Sequence, residues 1–303
     1  MAGGQERVLR RRIKSVQATR KITKAMELIA ASQIQRTQAR IAANRPYKLG
    51  MQRIIIEAAK GDPTAAAKMF GTPASVDTAV IVVVAGDRGL SGPFNTNVLR
   101  ATERLIAELK DKGTTGIRLV VVGKKAPGYL RFRGHTIDIA FQGFADKPEF
   151  GDARLVANAA ASYFASDEAQ LVMLVSTEYL SAGTQKVITK QLLPLVDPRA
   201  EAEDDEPQAK ELSGYVEFEP DAEQLLADLA PRALESEIFS ALLEGSASFF
   251  ASQQRAMAAA TENADELSQN LSRIMNRARQ DAITTEIMEI VGGAEALRQE
   301  KGA

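Results

Sequence analysis

Apolar residues near the start of the chain fall at Leu9, Ile13, Val16, Ile22, Met26 and Ile29. Steps of three and four, or near multiples of them, trace a narrow stripe along one face of a helix. Ala, Gln and Arg, all good helix formers, fill the rest of roughly 5–59. Pro46 should break or kink that helix, because it lacks an N–H and its ring crowds the preceding turn. From about 75 the pattern changes. DTAVIVVVA (77–85), GIRLVVVG (116–123) and AQLVMLVS (169–176) are short β-branched runs, the signature of strands buried on both faces. Helical stretches fall at 95–111, 124–133 and 150–166, with a weaker strand at 136–141. Alternation of this kind predicts a mostly parallel, Rossmann-like α/β sheet. QKVITKQLLPL (185–195) reads as a further strand, pairing antiparallel through a turn at Ser181–Thr184.

The last zone, from about 221 to 298, has no proline after Pro231 and keeps a sparse apolar period from Leu234 through Ile238, Leu242, Phe249, Met257, Leu271 and Ile274 to Ile290. A helix of that length spans roughly 110 Å, far beyond the ~11–12 residues of an average globular helix. Only another long helix can cover it, and the N-terminal one is the candidate. The expected fold is therefore an antiparallel coiled coil of the two ends of the chain (1–60 with 221–303) with the α/β domain (75–220) inserted between them. The C-terminal helix outruns its partner, so ARQDAITTEIMEIVGGAEAL (278–297) is expected to project, with Ile283, Ile287, Met288, Ile290 and Val291 uncovered unless another protein encloses them.

Charge sharpens this picture. The net charge is −1, yet residues 1–53 carry 13 Lys/Arg against Glu6 and Glu27, while 201–223 carry 10 Asp/Glu against Lys210. The basic helix fits either an acidic protein surface or, as the alternative, a nucleic-acid backbone. There is no cysteine and one histidine, His135, so disulfides, thiolate metal sites and a multi-histidine zinc centre are excluded. No apolar run approaches the ~20 residues that cross a bilayer, and no apolar signal core is present, so a bacterial cytoplasmic protein is expected.

Enzyme motifs fail one by one. GDRGLSGPFN (86–95) places Gly86, Gly89 and Gly92 where a nucleotide loop would sit, but the dinucleotide spacing G-x-G-x-x-G is absent. Ser91 lacks the G-x-S-x-G elbow. GKK at 123–125 lacks the phosphate-loop glycine at Arg118 and the hydroxyl at Lys125. No catalytic, cofactor or metal residue is assigned.

Three segments together, IKSVQATRKITKAMELIAAS (13–32), GDRGLSGPFN (86–95) and NRARQDAITTEIMEIVGGAEAL (276–297), closely resemble the gamma subunits of F-type ATP synthases, and the similarity covers nearly the whole chain. The resemblance implies a central stalk: the coiled coil turning inside a ring of three alpha and three beta subunits, one copy per complex, with the α/β domain and an epsilon subunit resting on the membrane c ring. It implies a peripheral position on the cytoplasmic face of the bacterial inner membrane, torque transmission between proton flow and the beta subunits, and no chemistry, nucleic acid or small-molecule substrate of its own. Arg20, Lys21, Lys24 and Arg36 would face acidic loops of beta, held by exposed pairs of about 0–1 kcal/mol each. Met26 would lie where the shaft passes those loops. Arg279, Gln280 and Thr284 would make polar contacts to a beta subunit, and Ile283, Ile287 and Ile290 would rest in the sleeve of the ring. Gly214, Tyr215, Glu217 and Glu219 would form the foot on the c ring. Ser91 and Pro93 stand where the family usually has Cys and Gly, and the acidic 199–211 looks inserted relative to many bacterial relatives.

Overall fold

A computed structural model describes residues 2–61, 70, 71, 73, 75–196, 219 and 221–301. The order of elements is α1 (Ala2–Gly61), β1 (Thr78–Val84), α2 (Phe94–Asp111), β2 (Gly116–Val122), α3 (Lys125–Phe132), β3 (Ile139–Phe141), α4 (Phe150–Ala165), β4 (Leu171–Tyr179), β5 (Gln185–Leu193) and α5 (Ala222–Lys301). The chain separates into two compact units. One comprises 1–29 and 254–303, the other 30–253.

The larger unit is built on a five-stranded sheet of order β3-β2-β1-β4-β5. β1 lies at its centre, parallel to β2 on one side and β4 on the other, with Ile81 opposite Leu119 and Met173. β5 closes one edge antiparallel to β4. Because strand side chains alternate, the apolar run of β1 feeds two cores. Ile81 and Val83 join Leu119, Val121 and Val175 beneath α2 and α3, where Val98, Leu105, Ile106 and Leu130 are buried. Val80 and Val82 join Val120, Val172 and Leu174 beneath α4 and the Leu234–Ile238–Leu242 face of α5. Full burial of a side chain such as Ile238 is worth about 1.5–3 kcal/mol. A third cluster joins Met51, Ile55 and Ala58 of α1 to Leu226, Leu229 and Ala233 of α5.

Pro46 does not break α1, which runs unbroken to Gly61. Pro46 and Ala42, whose carbonyl loses its helical donor, are both exposed, so water can serve that carbonyl. Burial of Met51, Ile55 and Ala58 a turn or more beyond offsets the remaining cost.

Beside this cluster, Lys48 of α1 and Lys190 of β5 both reach Oε2 of Glu237, at 3.4 and 3.5 Å. Burial pushes the Glu237 carboxyl up, but the two ammonium groups outweigh it and hold it below the ordinary range. One face along, burial, helped by the like charges of Glu178 and Glu237, raises Glu244 to about 7 against the pull of Lys48 and the Tyr179 backbone N–H.

The glycine-bearing loop after β1 also has a structural task. Asp87 accepts backbone N–H bonds from Lys124 (3.1 Å), Gly143 (3.0 Å) and Ala145 (3.0 Å), tying the ends of three parallel strands together. Asn95 accepts from Gly86 N and donates to Arg88 O. Gly123, with φ near 98°, has no room for a side chain, since a Cβ there would stand 2.4 Å from the Ala85 carbonyl oxygen. The crevice at the strand C-termini, where doubly wound sheets bind ligands, is covered by α5. Phe249 packs edge-on to Phe94, at 5.6 Å between ring centres. Ser248 donates to the Thr177 carbonyl of β4.

Candidate partner-binding surface of the helical pair

In the smaller unit the first turns of α1 run antiparallel to the last turns of α5. Thr23 Oγ1 meets Thr261 Oγ1 at 2.8 Å, and one turn earlier on α1 Arg20 Nε meets Asp265 Oδ1 at 3.0 Å. The inward positions of α1 follow steps of four and three: Leu9, Ile13 and Thr23 are buried, and Val16 and Glu27 are half-buried. Those of α5 are Met257, Thr261, Ala264, Ser268, Leu271, Met275, Ala278 and Ala282. Both sets have the 3.5-residue period of a coiled-coil seam.

The content of that seam corrects the expected stripe. Ile22 and Ile29 are not on it: they are 61% and 59% exposed, and Leu28 beside them is 60% exposed. Thr23 occupies the buried place instead. Leu267 and Ile274 of α5 also face outward. The pair therefore hides small and hydroxyl-bearing side chains alongside Leu9, Ile13, Met257 and the half-buried Leu271, and displays large apolar ones as well.

The residues singled out in the sequence fall into groups. Arg20, Lys21, Lys24 and Met26 lie on α1 within this unit; Arg36, exposed, belongs to the larger one. Two of the cations are already engaged within the chain, Arg20 with Asp265 and Lys24 with Glu27 at 2.9 Å. Lys21 and Arg36 take no ion pair among the described residues. Arg279, Gln280 and Thr284 are exposed on α5, the Thr284 hydroxyl donating back to the Gln280 carbonyl at 2.9 Å. From Ile283 to Ala294 every position is exposed, Ile287 at 53% and Ile290 at 72%. This second cluster lies beyond Asp265 by about 27 Å of helix to Ile283, so the two groups form separate stations. Glu219 is exposed; Gly214, Tyr215, Glu217 and the acidic 199–211 lie outside the described residues.

Chemically, this surface is a set of apolar side chains interleaved with cations and short hydroxyls. Among the described residues no cluster of three or more acidic or imidazole groups could hold a metal, and no helix is long and apolar enough to cross a membrane. Sequence reasoning missed the outward turn of Ile22, Leu28 and Ile29. The signal that could have found it was the 3.5-residue spacing of Ala264, Ser268, Ala278 and Ala282.

Comparison with known proteins bears on the whole chain. The family described as ATP synthase matches residues 5–297. The chain is 45% identical over 298 residues to the ATP synthase gamma chain of Parafrankia sp., covering 97% of this chain and 98% of that one. It is 46% identical over 298 residues to the gamma chain of Frankia casuarinae, with the same coverage. Among solved structures, a chain of the Euglena gracilis mitochondrial ATP synthase (OSCP/F1/c-ring) superimposes with a TM-score of 0.67 at 16% identity, over 99% of this chain and 97% of that one. A chain of the Tetrahymena thermophila central stalk/c-ring gives 0.60 at 24% identity, over 79% and 99%. These two likenesses are of fold.

Proposed function

Since the chain belongs to the ATP synthase gamma-chain family, we propose that its helical pair is a rotor shaft, enclosed by a ring of alpha and beta subunits and turned by the membrane c ring. The observation that carries this reading is the apolar outer face of the pair. Ile22, Leu28, Ile29, Leu267 and Ile274 are displayed along its length and Ile283, Ile287, Ile290 at its tip. An isolated helical pair would bury such residues. Their exposure fits a sheath that surrounds the helices from all sides, and the interleaved Lys21, Arg279, Gln280 and Thr284 give that sheath polar partners weak enough to exchange as the shaft turns.

On this reading the chain transmits torque and makes no bond, catalysis belongs to the surrounding subunits, and the complex sits peripherally on the cytoplasmic side of the inner membrane. An epsilon subunit and the c ring meet the α/β domain, the c ring through residues that include Tyr215, Glu217 and Glu219. The nucleic-acid alternative finds no support among the relatives.

Co-assembly tests the proposal. The full chain mixed with bacterial alpha and beta subunits is expected to elute as one complex with a single copy per three alpha–beta pairs, with ATP hydrolysis above that of the alpha and beta subunits alone. A chain that elutes by itself and leaves hydrolysis unchanged would overturn it.

A further inference from the structure

The seam of the helical pair contains one stretch where apolar packing is thin. Between Val16 and Glu27 the only buried side chain of α1 is Thr23, with Ile22 turned outward and Met26 half-buried. The facing positions of α5 are Thr261, Ala264 and Ser268. Small side chains of this kind leave a smooth interface, on which one helix can roll about its own axis with little loss of contact. A roll of one residue would carry Ile22 or Lys24 into the place of Thr23.

Two directional contacts oppose that roll. Thr261 Oγ1 lies 2.8 Å from the Met257 carbonyl oxygen and 2.8 Å from Thr23 Oγ1. Thr23 Oγ1 also lies 3.0 Å from the Arg20 carbonyl oxygen, so the two hydroxyl protons serve three contacts, and the cross-helix bond forms when one hydroxyl donates to the other rather than to its own backbone. The result is a short polar cluster that links the backbones of α1 and α5 across the seam. Arg20 and Asp265 add an ion pair on its flank, with both side chains about half exposed. A polar group at one seam position is a well-attested way of fixing how coiled-coil helices meet.

We infer that Thr23 and Thr261 are positioning residues: their cross-helix hydrogen bond locks the rotation of α1 against α5 and so fixes the direction in which Lys21, Ile22, Leu28 and Ile29 face a partner. The use of that lock in torque transmission rests on the rotor reading above, but the lock itself belongs to the isolated chain and can be measured there.

The chain has no cysteine, so spin labels at Ala18→Cys and Glu266→Cys, both exposed, would be the only ones present. In the full-length labelled chain, pulsed electron resonance is expected to give one narrow distance. Thr23→Ala with Thr261→Ala should broaden it or add a second distance, raising the rotated population about fivefold, the weight of one ordinary hydrogen bond. Thr23→Ser with Thr261→Ser loses the same methyl groups but keeps both hydroxyls, and should restore the narrow distance. Equal widths in the alanine and serine variants, at unchanged helix content, would overturn the lock. In assembled complex the alanine pair should pump fewer protons per ATP hydrolysed than the serine pair. Equal pumping would remove its role in torque while the spin-label result stands. Failure of the unmodified chain to co-assemble would instead strike the rotor reading.

Discussion

Along α5 the same kind of amphipathic sequence meets two fates. In the larger unit Leu234, Ile238, Leu242 and Phe249 are buried almost completely against the chain's own sheet and loops. In the smaller unit Leu267, Ile274, Ile287 and Ile290 are turned outward, while Ala264 and Ser268 are hidden. Hydrophobicity alone does not distinguish the two stretches. The first finishes its core within the chain, and the second leaves its large apolar side chains uncovered by it.

The sharpest way to break this contrast is to cut one apolar side chain from each stretch. Ile238→Ala removes a fully buried group between α5 and the sheet, and should cost about 2–5 kcal/mol in denaturant unfolding. Ile287→Ala should change the same measurement by no more than about 0.5 kcal/mol, while weakening retention of the chain by alpha and beta subunits in size exclusion. A comparable stability loss from both would mean that the tip is packed within the chain after all.

Next in size is the buried acid. The folded state raises Glu244 to about 7, whereas the group's ordinary value is 4.5. Folding thus favours its protonated form. This contribution is fully present below the unfolded value, declines as pH rises, and is lost above about 7, amounting to about 3 kcal/mol in all. Glu244→Gln should flatten that fall in a series of denaturant midpoints between pH 4 and 9 while leaving the behaviour of the helical pair unchanged. A parent profile already flat in this range would refute the assignment.

Asp87→Ala removes the acceptor of three backbone N–H groups at the strand ends, and an expected loss of about 1–3 kcal/mol follows from the donors it strands. Smallest of all, Arg20→Ala breaks an ion pair whose two side chains are each about half exposed, so thermal unfolding should move by less than the ~1 kcal/mol ceiling of such pairs. A larger loss would show that the pair carries packing as well as charge.

What could be read from the sequence divides along the same line. The strands of the larger unit were legible because a run such as Val80–Val84 has one use, a strand covered on both faces. The antiparallel return of β5 was legible from the turn at Ser181–Thr184, whose backbone groups do bond to each other. The seam was misread at Ile22 and Ile29 because a stripe search ranks positions by greasiness, and here large apolar side chains lie on the exposed face. Asp87 and Phe249 could not have been found, since their partners at Ala145 and Phe94 are distant in sequence and carry no local signature. The resemblance supplied what periodicity could not, a reason for an uncovered apolar helix.

Phe249 has one further meaning. In doubly wound sheets of this order the hollow at the strand ends is a seat that ligands fill and vacate. Here the guest is covalently attached. A side chain of the same polypeptide is presented to the hollow at an effective concentration that free ligands do not approach. The hollow is closed from within, and the sheet serves as a permanent mount for the helix that fills it.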